Sequence, residues 1–457
     1  MKKAHQKFPS DELLFYICIK QLDMTQDKFI EIVKYIGRLI ATTKFENKVF
    51  AVGGSIRDYY MKQPIKDIDL AVELQNGGIE LANFLYENGK LAHKPVTFER
   101  YGTCKFVLNA FPEDELEAVQ TRKEKYTDYN SRNPETAFGT LRDDAERRDL
   151  TINAIYLNVS TGETVDLFNG LEDIENSILR TTSDPDFVFE DDPLRILRVI
   201  RFSAKLGWKI EDKTLASMTK NADRLKIISR ERITEEFKKT LTAPYIGNAL
   251  YYLSTTDVMH SVFGLTEFSF EKAWDVMTAI VSNKEAEKEF EIRMALLAAV
   301  YDNDFEFDVM VDSMKLDSKT SRYIFKILDF AYEFIDADDE EETTFRRICH
   351  NAQDKFLAGA ALQVAISRNS LVLKDFEVFR KLCLFVKYYA SKENAEYFYK
   401  APFNGDDIMS KFELKPEEGM LIKEFLGEAK EVWFKNPDTP KEDLLDITAY
   451  IAEHGKE

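Results

Sequence analysis

Apolar and polar positions change period several times along the chain, and each change marks an element. In KFIEIVKYIGRLIATT the apolar residues recur at helical spacing, so residues 1–45 read as a helical packing extension. Residues 48–51 read as a short strand running into a glycine turn, and 56–61 as a helix. IDLAV follows as a strand, where alternate side chains share a face: Ile68 and Leu70 turn to a core, and Asp67 and Asp69 to the other side. Residues 79–87 are helical, and PVTFERYGTCKFVLNA and ELEAVQTR, within 94–122, read as strands. Residues 123–146 are polar and carry Asn-Pro and Phe-Gly turn signals, which predicts a long flexible loop. VDLFNGLEDIENSILR at 165–180 leads on through a glycine turn at Gly170. In EDDPLRILRVIRFSAKLG at 190–207, Pro193 favours a first helical turn, and Ile196, Leu197, Val199, Ile200 and Phe202 take the core side. Ser229 is placed to cap the helix in SRERITEEFKKTL. Beyond 246 the pattern is that of amphipathic helices rich in Phe and Tyr, with DADDEEE at 336–342 a solvated loop.

Composition narrows the class. A chain of 457 residues exceeds one ordinary core, so several domains are expected. Hydrophobic residues at 44% and charged ones at 31% describe a globular, soluble chain. No run of eighteen apolar residues exists, so no membrane span is read. The basic start, MKKAHQKFPSDELLFYICIKQ, has a short apolar part broken by Lys20 and no small-residue cleavage site, which argues against a signal peptide. Cys18, Cys104, Cys349 and Cys383 form no CxxC pair, so neither a zinc site nor a disulfide framework is supported, and a reducing cytoplasm fits. The net charge of −19 opposes simple polyanion binding, but it is uneven. Residues 246–457 carry 25 Lys and Arg against 41 Asp and Glu, whereas 181–245 carry 13 against 11.

The candidate chemistry centres on VGGSIRDYYMKQPIKDIDLAV. Gly53, Gly54 and Ser55 at a helix start offer successive backbone N–H groups that can cradle an anion. Arg57 adds a planar fork suited to phosphate. Asp67 and Asp69, two carboxylates on one strand face nearby, suit divalent ions that bridge protein and triphosphate. A lone Gly-Gly or a lone Asp-x-Asp is ordinary; the order of glycines, arginine and aspartates in one turn–helix–strand unit is not. Glu117, in LEAV, can lie beside the two aspartates as a third carboxylate, acting as a base or assisting a metal. In Arg147-Arg148-Asp149-Leu150-Thr151-Ile152-Asn153, the Asp and Asn can both hydrogen-bond a ribose hydroxyl, although a helix-start Asp would also explain Asp149. Asp192, Arg195 and Arg198 share one helical face, with Arg201 drifting round it. A carboxylate acceptor beside a guanidinium donor can pair with the edge of a base, and the other arginines can hold phosphates.

Together these windows resemble the class II tRNA nucleotidyltransferases, the CCA-adding enzymes, with the bacterial poly(A) polymerases as relatives; the match spans residues 48–241. VGGSIRD with KDIDLAV is similar to the family's metal and phosphate motif, ERRDLTINA to its ribose motif, and VDLFNGLEDI to its hinge. DDPLRILRVIRF is similar to its nucleotide-template helix, and SRERITEEFKKTL to its neck helix. The resemblance implies an α+β fold: a nucleotidyltransferase-type mixed β-sheet head at 46–165 behind the extension at 1–45, a helical neck at 166–245, and a helical body and tail at 246–457. It implies that Asp67 and Asp69 carry Mg²⁺ with Glu117 as third carboxylate, and that Gly53, Gly54, Ser55 and Arg57 hold the triphosphate. Arg148, Asp149 and Asn153 would hold the ribose, Asp192 and Arg195 would pair with CTP or ATP, and Arg198 and Arg201 would orient the nucleotide. The loop at 123–146 would serve the switch from C to A addition, the partner would be the tRNA 3′ end, and the compartment the cytoplasm.

Two departures bear on this. The usual Glu-Asp pair of the template helix is Asp191-Asp192 here. LLAAVYDND has Tyr301 where an HD phosphohydrolase needs a metal-binding His, so no phosphohydrolase activity is expected. Addition of A alone or CC alone, poly(A) synthesis, and a degenerate binding protein all stay open at this point. Tyr101-Gly102-Thr103, where poly(A) polymerases show a basic Gly-Arg-Arg segment, favours tRNA.

Overall fold

The structure is a computed structural model that describes residues 24–99, 102–125, 135–264, 289–300, 310–335 and 401–454, together with Thr343, Arg347, His350 and Asn351. Residues 1–23, the acidic run at 336–342 and Tyr301 lie outside the described residues. The fold is α+β, a mixed sheet joined to a mostly helical remainder. It falls into two compact units. The described residues up to Glu236, with Thr255–Val262, make the first; Phe237–Ser254, with the described residues from Phe263 onward, make the second.

The first unit is built on a seven-stranded sheet: β1 (Val49–Val52), β2 (Ile68–Val72), β3 (Val96–Phe98), β4 (Thr103–Leu108), β5 (Phe111–Gln120), β8 (Ile155–Asn158) and β9 (Thr164–Asp166). The strand order is β3-β4-β5-β2-β1-β8-β9. β2 and β5 run parallel and the other neighbours antiparallel, so the sheet is mixed. Alternation along the strands sorts the faces. Val49, Ala51, Ile68, Leu70, Phe106, Leu116 and Ala118 join the main core on one face. The helix Gln26–Ile40 packs into that same core through Phe29, Ile32, Ile36 and Ile40. Thr25 caps it by accepting from the Lys28 N–H. Its Gly37 has to be Gly: a Cβ there would sit 2.3 Å from the Val159 carbonyl oxygen, closer than any real contact.

On the opposite face, Phe50, Val52, Ala71 and Tyr156 pack under Ala145 and Ala154 in a smaller cluster. Ala145 in that cover comes from residues the sequence assigned to a flexible loop. Instead of a loop, 123–146 supplies most of a hairpin, β6 (Arg122–Lys125) with β7 (Glu135–Phe138), and the helix Leu141–Glu146. Thr140 and Asp143 close a capping box at that helix. The polar composition hid the strands because two-stranded ladders need no apolar face when their backbone groups pair with one another. Residues 126–134 lie outside the described residues.

The hinge segment buttresses the site. The Asp166 carboxylate accepts from the backbone N–H of Gly170 and Leu171 at 2.9 Å and so caps the helix Gly170–Asn176. From that helix Asp173 accepts the Thr151 hydroxyl at 2.6 Å, pinning the Arg148–Asn153 segment from behind.

The second unit is helical. Its helix Ile246–Thr255 buries Ile246, Ala249, Leu250 and Leu253, and Glu289–Val300 packs on Ser318–Ile335. A further core of Phe403, Ile408, Ala429, Trp433, Phe434 and Leu444 is closed by the helices Gly405–Lys411, Gly419–Lys435 and Lys441–His454. Among the described residues no helix is long and apolar enough to cross a membrane.

Candidate active site

A cleft of about 450 Å³ in the first unit collects residues from four stretches of chain. Gly53, Gly54 and Arg57 come from the turn after β1, Asp69 from β2, Arg148, Asp149 and Asn153 from the segment before β8, and Asp192, Arg195, Arg198 and Arg201 from the arginine helix Leu194–Leu206 and the residue before its Pro193 cap. These are eleven of the fourteen residues singled out from sequence. The other three stand behind or beside the cleft. Ser55 is buried, and its hydroxyl donates to the Val52 carbonyl at 3.0 Å, so it ties the turn to β1 rather than facing a ligand. Glu117 is the register partner of Asp69 across β2 and β5. Asp67 precedes β2 and is close enough, with Glu117, to disfavour ionisation of Asp69.

Gly53 needs its left-handed backbone at φ +80°, which an L side chain rarely adopts, and it sits between the two halves of the site. A Cβ there would lie 3.5 Å from Asp69 Oδ2 and 3.6 Å from Arg148 Nη1, so an acid and a guanidinium flank the glycine turn. Burial pushes the Asp69 carboxyl up to about 6, with Glu117 and Asp67 adding repulsion. Burial and the neighbouring carboxylates outweigh Arg148 and Lys105 at this edge of the cleft, which fits a divalent cation on Asp69 and Asp67. Among the described residues no group of three or more His, Cys, Asp and Glu side chains is gathered closely enough to hold a metal. Further ligands would therefore come from substrate oxygens, as is usual for a cation that dehydrates reluctantly.

The cationic wall is held by internal pairing. Asp144, fully buried, accepts from Arg147 and Arg148 and from the Tyr156 hydroxyl at 2.8 Å. Burial alone would raise its pKa, but Arg148 and Arg147 hold it well below the carboxylate range. Arg57 pairs with Asp58 at 2.7 Å and donates to Asn153 Oδ1 at 2.8 Å, linking the glycine turn to the Arg148–Asn153 segment. Asn153 in turn donates to Asp149 at 3.0 Å. Arg198 completes the chain by pairing with Asp149 at 2.6 Å. Burial opposes the Asp149 charge, yet Arg198 and Asn153 outweigh it and hold the carboxyl at about 2. Arg201 pairs with Glu236 at 2.6 Å. Asp192 accepts from the Leu194 N–H at 3.1 Å and pairs with Arg232 at 3.0 Å. Arg195 is buried and donates to the Val188 carbonyl.

Phe202 corrects the sequence reading. Helical period placed it on the core side; it is buried, but its ring lines the cleft. The guanidinium carbons of Arg201, Arg57 and Arg198 lie 4.5, 5.3 and 5.9 Å from its centroid, within cation–π range. Arg122, Arg147, Lys205 and Arg232 also line the cleft and were missed. Arg147 stood next to a chosen residue, and Lys205 and Arg232 lay within recognised motifs; Arg122, just past the β5 strand, carried no signal of its own.

Residues 49–180 match the family model of the poly(A) polymerase head domain, and residues 207–268 that of a probable RNA and SrmB-binding site of polymerase A. The chain is 33% identical to the CCA-adding enzyme of Streptococcus gordonii over 259 residues, which is 53% of this chain and 62% of that one. It is 36% identical to the CCA-adding enzyme of Enterococcus faecalis over 213 residues, 45% of this chain and 50% of that one. The chain thus spans about half to three fifths of the length of the curated relatives it matches. The fold is similar to that of the Bacillus stearothermophilus CCA-adding enzyme in complex with CTP, with a TM-score of 0.64 at 21% identity, covering 93% of this chain and 99% of that one. It is likewise similar to the Thermotoga maritima CCA-adding enzyme complexed with tRNA, with a TM-score of 0.68 at 17% identity, covering 95% and 100%.

Proposed function

We propose that the chain is a member of the family of class II tRNA nucleotidyltransferases and bacterial poly(A) polymerases, and that it adds CCA, or part of it, to the 3′ end of tRNA from CTP and ATP. The observation that carries this reading is the single cleft in which Asp69, the Gly53–Gly54 turn, the ribose segment and the arginine helix meet. The reading includes a catalytic head at 46–165, a helical neck at 166–245 and a helical body and tail, acting in the cytoplasm.

In the reaction the tRNA 3′-hydroxyl oxygen forms a bond to the α-phosphorus of the nucleotide. The bond from that phosphorus to its bridging oxygen breaks, pyrophosphate leaves with the electron pair, and the hydroxyl proton passes to Glu117. Family members use a divalent metal, and here we take it to be Mg²⁺ held by Asp67 and Asp69, where it would neutralise phosphate charge and acidify the hydroxyl. Backbone N–H groups of the Gly53–Gly54 turn and the Arg57 fork hold the β- and γ-phosphates. Arg148, Asp149 and Asn153 face the ribose. Asp149 accepts from a 2′-hydroxyl, so a deoxynucleotide would leave a buried carboxylate one partner short. Asp192 and Arg195 offer an acceptor and a donor to the base edge, so a fixed protein surface does the work of a template strand. Arg198 and Arg201, spread over Phe202, keep the cleft cationic around the nucleotide.

The test is incubation with CTP and ATP together and end-labelled tRNA transcripts ending at the discriminator base, at C, or at CC. A gel with three, two and one added nucleotides is the expected result. Growth by C alone, by A alone, or into a long A ladder would assign the partial or poly(A) activity instead. No incorporation in any lane, with Mg²⁺ present, would overturn the reading.

A further inference from the structure

The sheet register places an uninterrupted row of side chains across the open face of the first unit. Val52 pairs with Asp69, Asp69 with Glu117, Glu117 with Lys105, and Lys105 with Val96. Directly paired residues share a face. On the Val52 side of Asp69 that face is covered by the small cluster around Ala145 and Tyr156, and there the nucleotide cleft lies. On the other side, among the described residues, that cluster does not continue. Thr103, Lys105, Val107 and Glu117 are half-buried, while Val96 and Phe98, on edge strand β3, are 53% and 45% exposed. Phe98 pairs with Thr103, so its ring projects on the same face as Lys105.

An in-line displacement at phosphorus requires the attacking and leaving oxygens on opposite sides. With the pyrophosphate over the glycine turn, the acceptor hydroxyl has to reach the reacting phosphorus from the β5–β4 side. We propose that the single-stranded RNA 3′ terminus lies along β5, β4 and β3, with Lys105 contacting a backbone phosphate and Phe98 stacking on one of its bases. This rests on the transfer reaction proposed above and adds the path of its acceptor. Lys105 holds Glu115 at 2.7 Å on the surface and has Glu117 and Asp67 beside it, so its ammonium is kept protonated at the edge of the acidic row. An ammonium there offsets the repulsion that the row would exert on an incoming phosphate strand. An exposed aromatic beside it matches the stacking platforms by which proteins hold single strands without reading their sequence.

Steady-state addition to a tRNA lacking its last nucleotide, for wild type, Lys105→Ala, Lys105→Arg, Phe98→Ala and Phe98→Tyr, tests this. Both alanine variants are expected to raise the KM for RNA about five- to tenfold, with the KM for the nucleotide unchanged. The Arg and Tyr variants should stay near wild type. Lys105→Ala should also reduce the slope of log RNA affinity against log salt by about one. An active wild type whose RNA KM ignores both alanine variants, or whose nucleotide KM rises in step with it, overturns this inference and leaves the activity standing. A wild type that adds nothing overturns the activity itself, and this inference with it.

Discussion

Arg198 and Asp149, 49 positions apart in the chain, form a direct ion pair in the cleft, with the guanidinium Nε donating to the carboxylate at 2.8 Å. The pair joins the ribose segment to the arginine helix. A guanidinium read as a phosphate contact thus also fixes the carboxylate read as the ribose contact.

Because they act as one unit, their removal should not add. Arg198→Ala is expected to weaken nucleotide binding by about 2 kcal/mol, roughly 30-fold, as for a lost hydrogen bond to a charged group. Asp149→Asn should cost a similar amount, and the double variant little more than the worse single one. Nucleotide KM values for the three variants check this; simple additivity would mean that the pair is not coupled.

Asp69 predicts a stability that opposes function. Its folded pKa of about 6 lies above the ordinary value of 3.8, so the folded state favours the protonated acid. For such a group, stability is fully present below 3.8 and lost as pH rises through about 6. Asp69→Asn escapes that loss. With metal chelated, it should be more stable than wild type by up to about 3 kcal/mol at pH 8, with the gap closing towards pH 4. It should also be inactive. Denaturant melts at the two pH values decide it, and an Asn variant no more stable than wild type at pH 8 would contradict the electrostatic account.

Phe202→Leu keeps the volume of the helix face but removes the ring. Three cation–π contacts of about 0.5–1 kcal/mol each are lost, so the nucleotide KM should rise about tenfold. Those contacts exist in the folded chain without nucleotide, so unfolding free energy should also fall, by about 1.5–3 kcal/mol. Phe202→Tyr should restore the KM; a tyrosine variant as weak as the leucine one would count against the ring as organiser of Arg57, Arg198 and Arg201.

Asp192 is steered by Arg232, whose guanidinium holds one of its carboxylate oxygens. Both Asp192→Ala and Arg232→Ala should lower discrimination between CTP or ATP and the other nucleotides by roughly tenfold, the worth of one specific contact. Competition assays with GTP and UTP measure it. Unchanged selectivity in Asp192→Ala would remove the template role.

The residues legible from sequence are those whose placement follows from the backbone's own period. A period of two along IDLAV sets Asp69 opposite Ile68 and Leu70, and a period near 3.6 sets Arg195 and Arg198 on one side of a helix; Asp192, read as part of that helical face, instead stands before the helix in extended backbone at φ −137°. The glycine turn, the helix start and the ordered motifs are equally local, which is why eleven of the cleft residues could be named from the chain alone; the mixed-sheet head came only from the family resemblance that those motifs carry. Partners distant in sequence are another matter. That Asp144 gathers two arginines and a tyrosine, and that Arg122–Lys125 pairs with Glu135–Phe138, depend on contacts distant in sequence; Glu117 beside Asp69 is the one such neighbour that the sequence reading named and the register bears out. Phe202 moved from core to cleft wall, and Ser55 from ligand to turn, for the same reason. Which face of an element is covered is settled by the free energy of long-range contacts, and no local pattern contains that information.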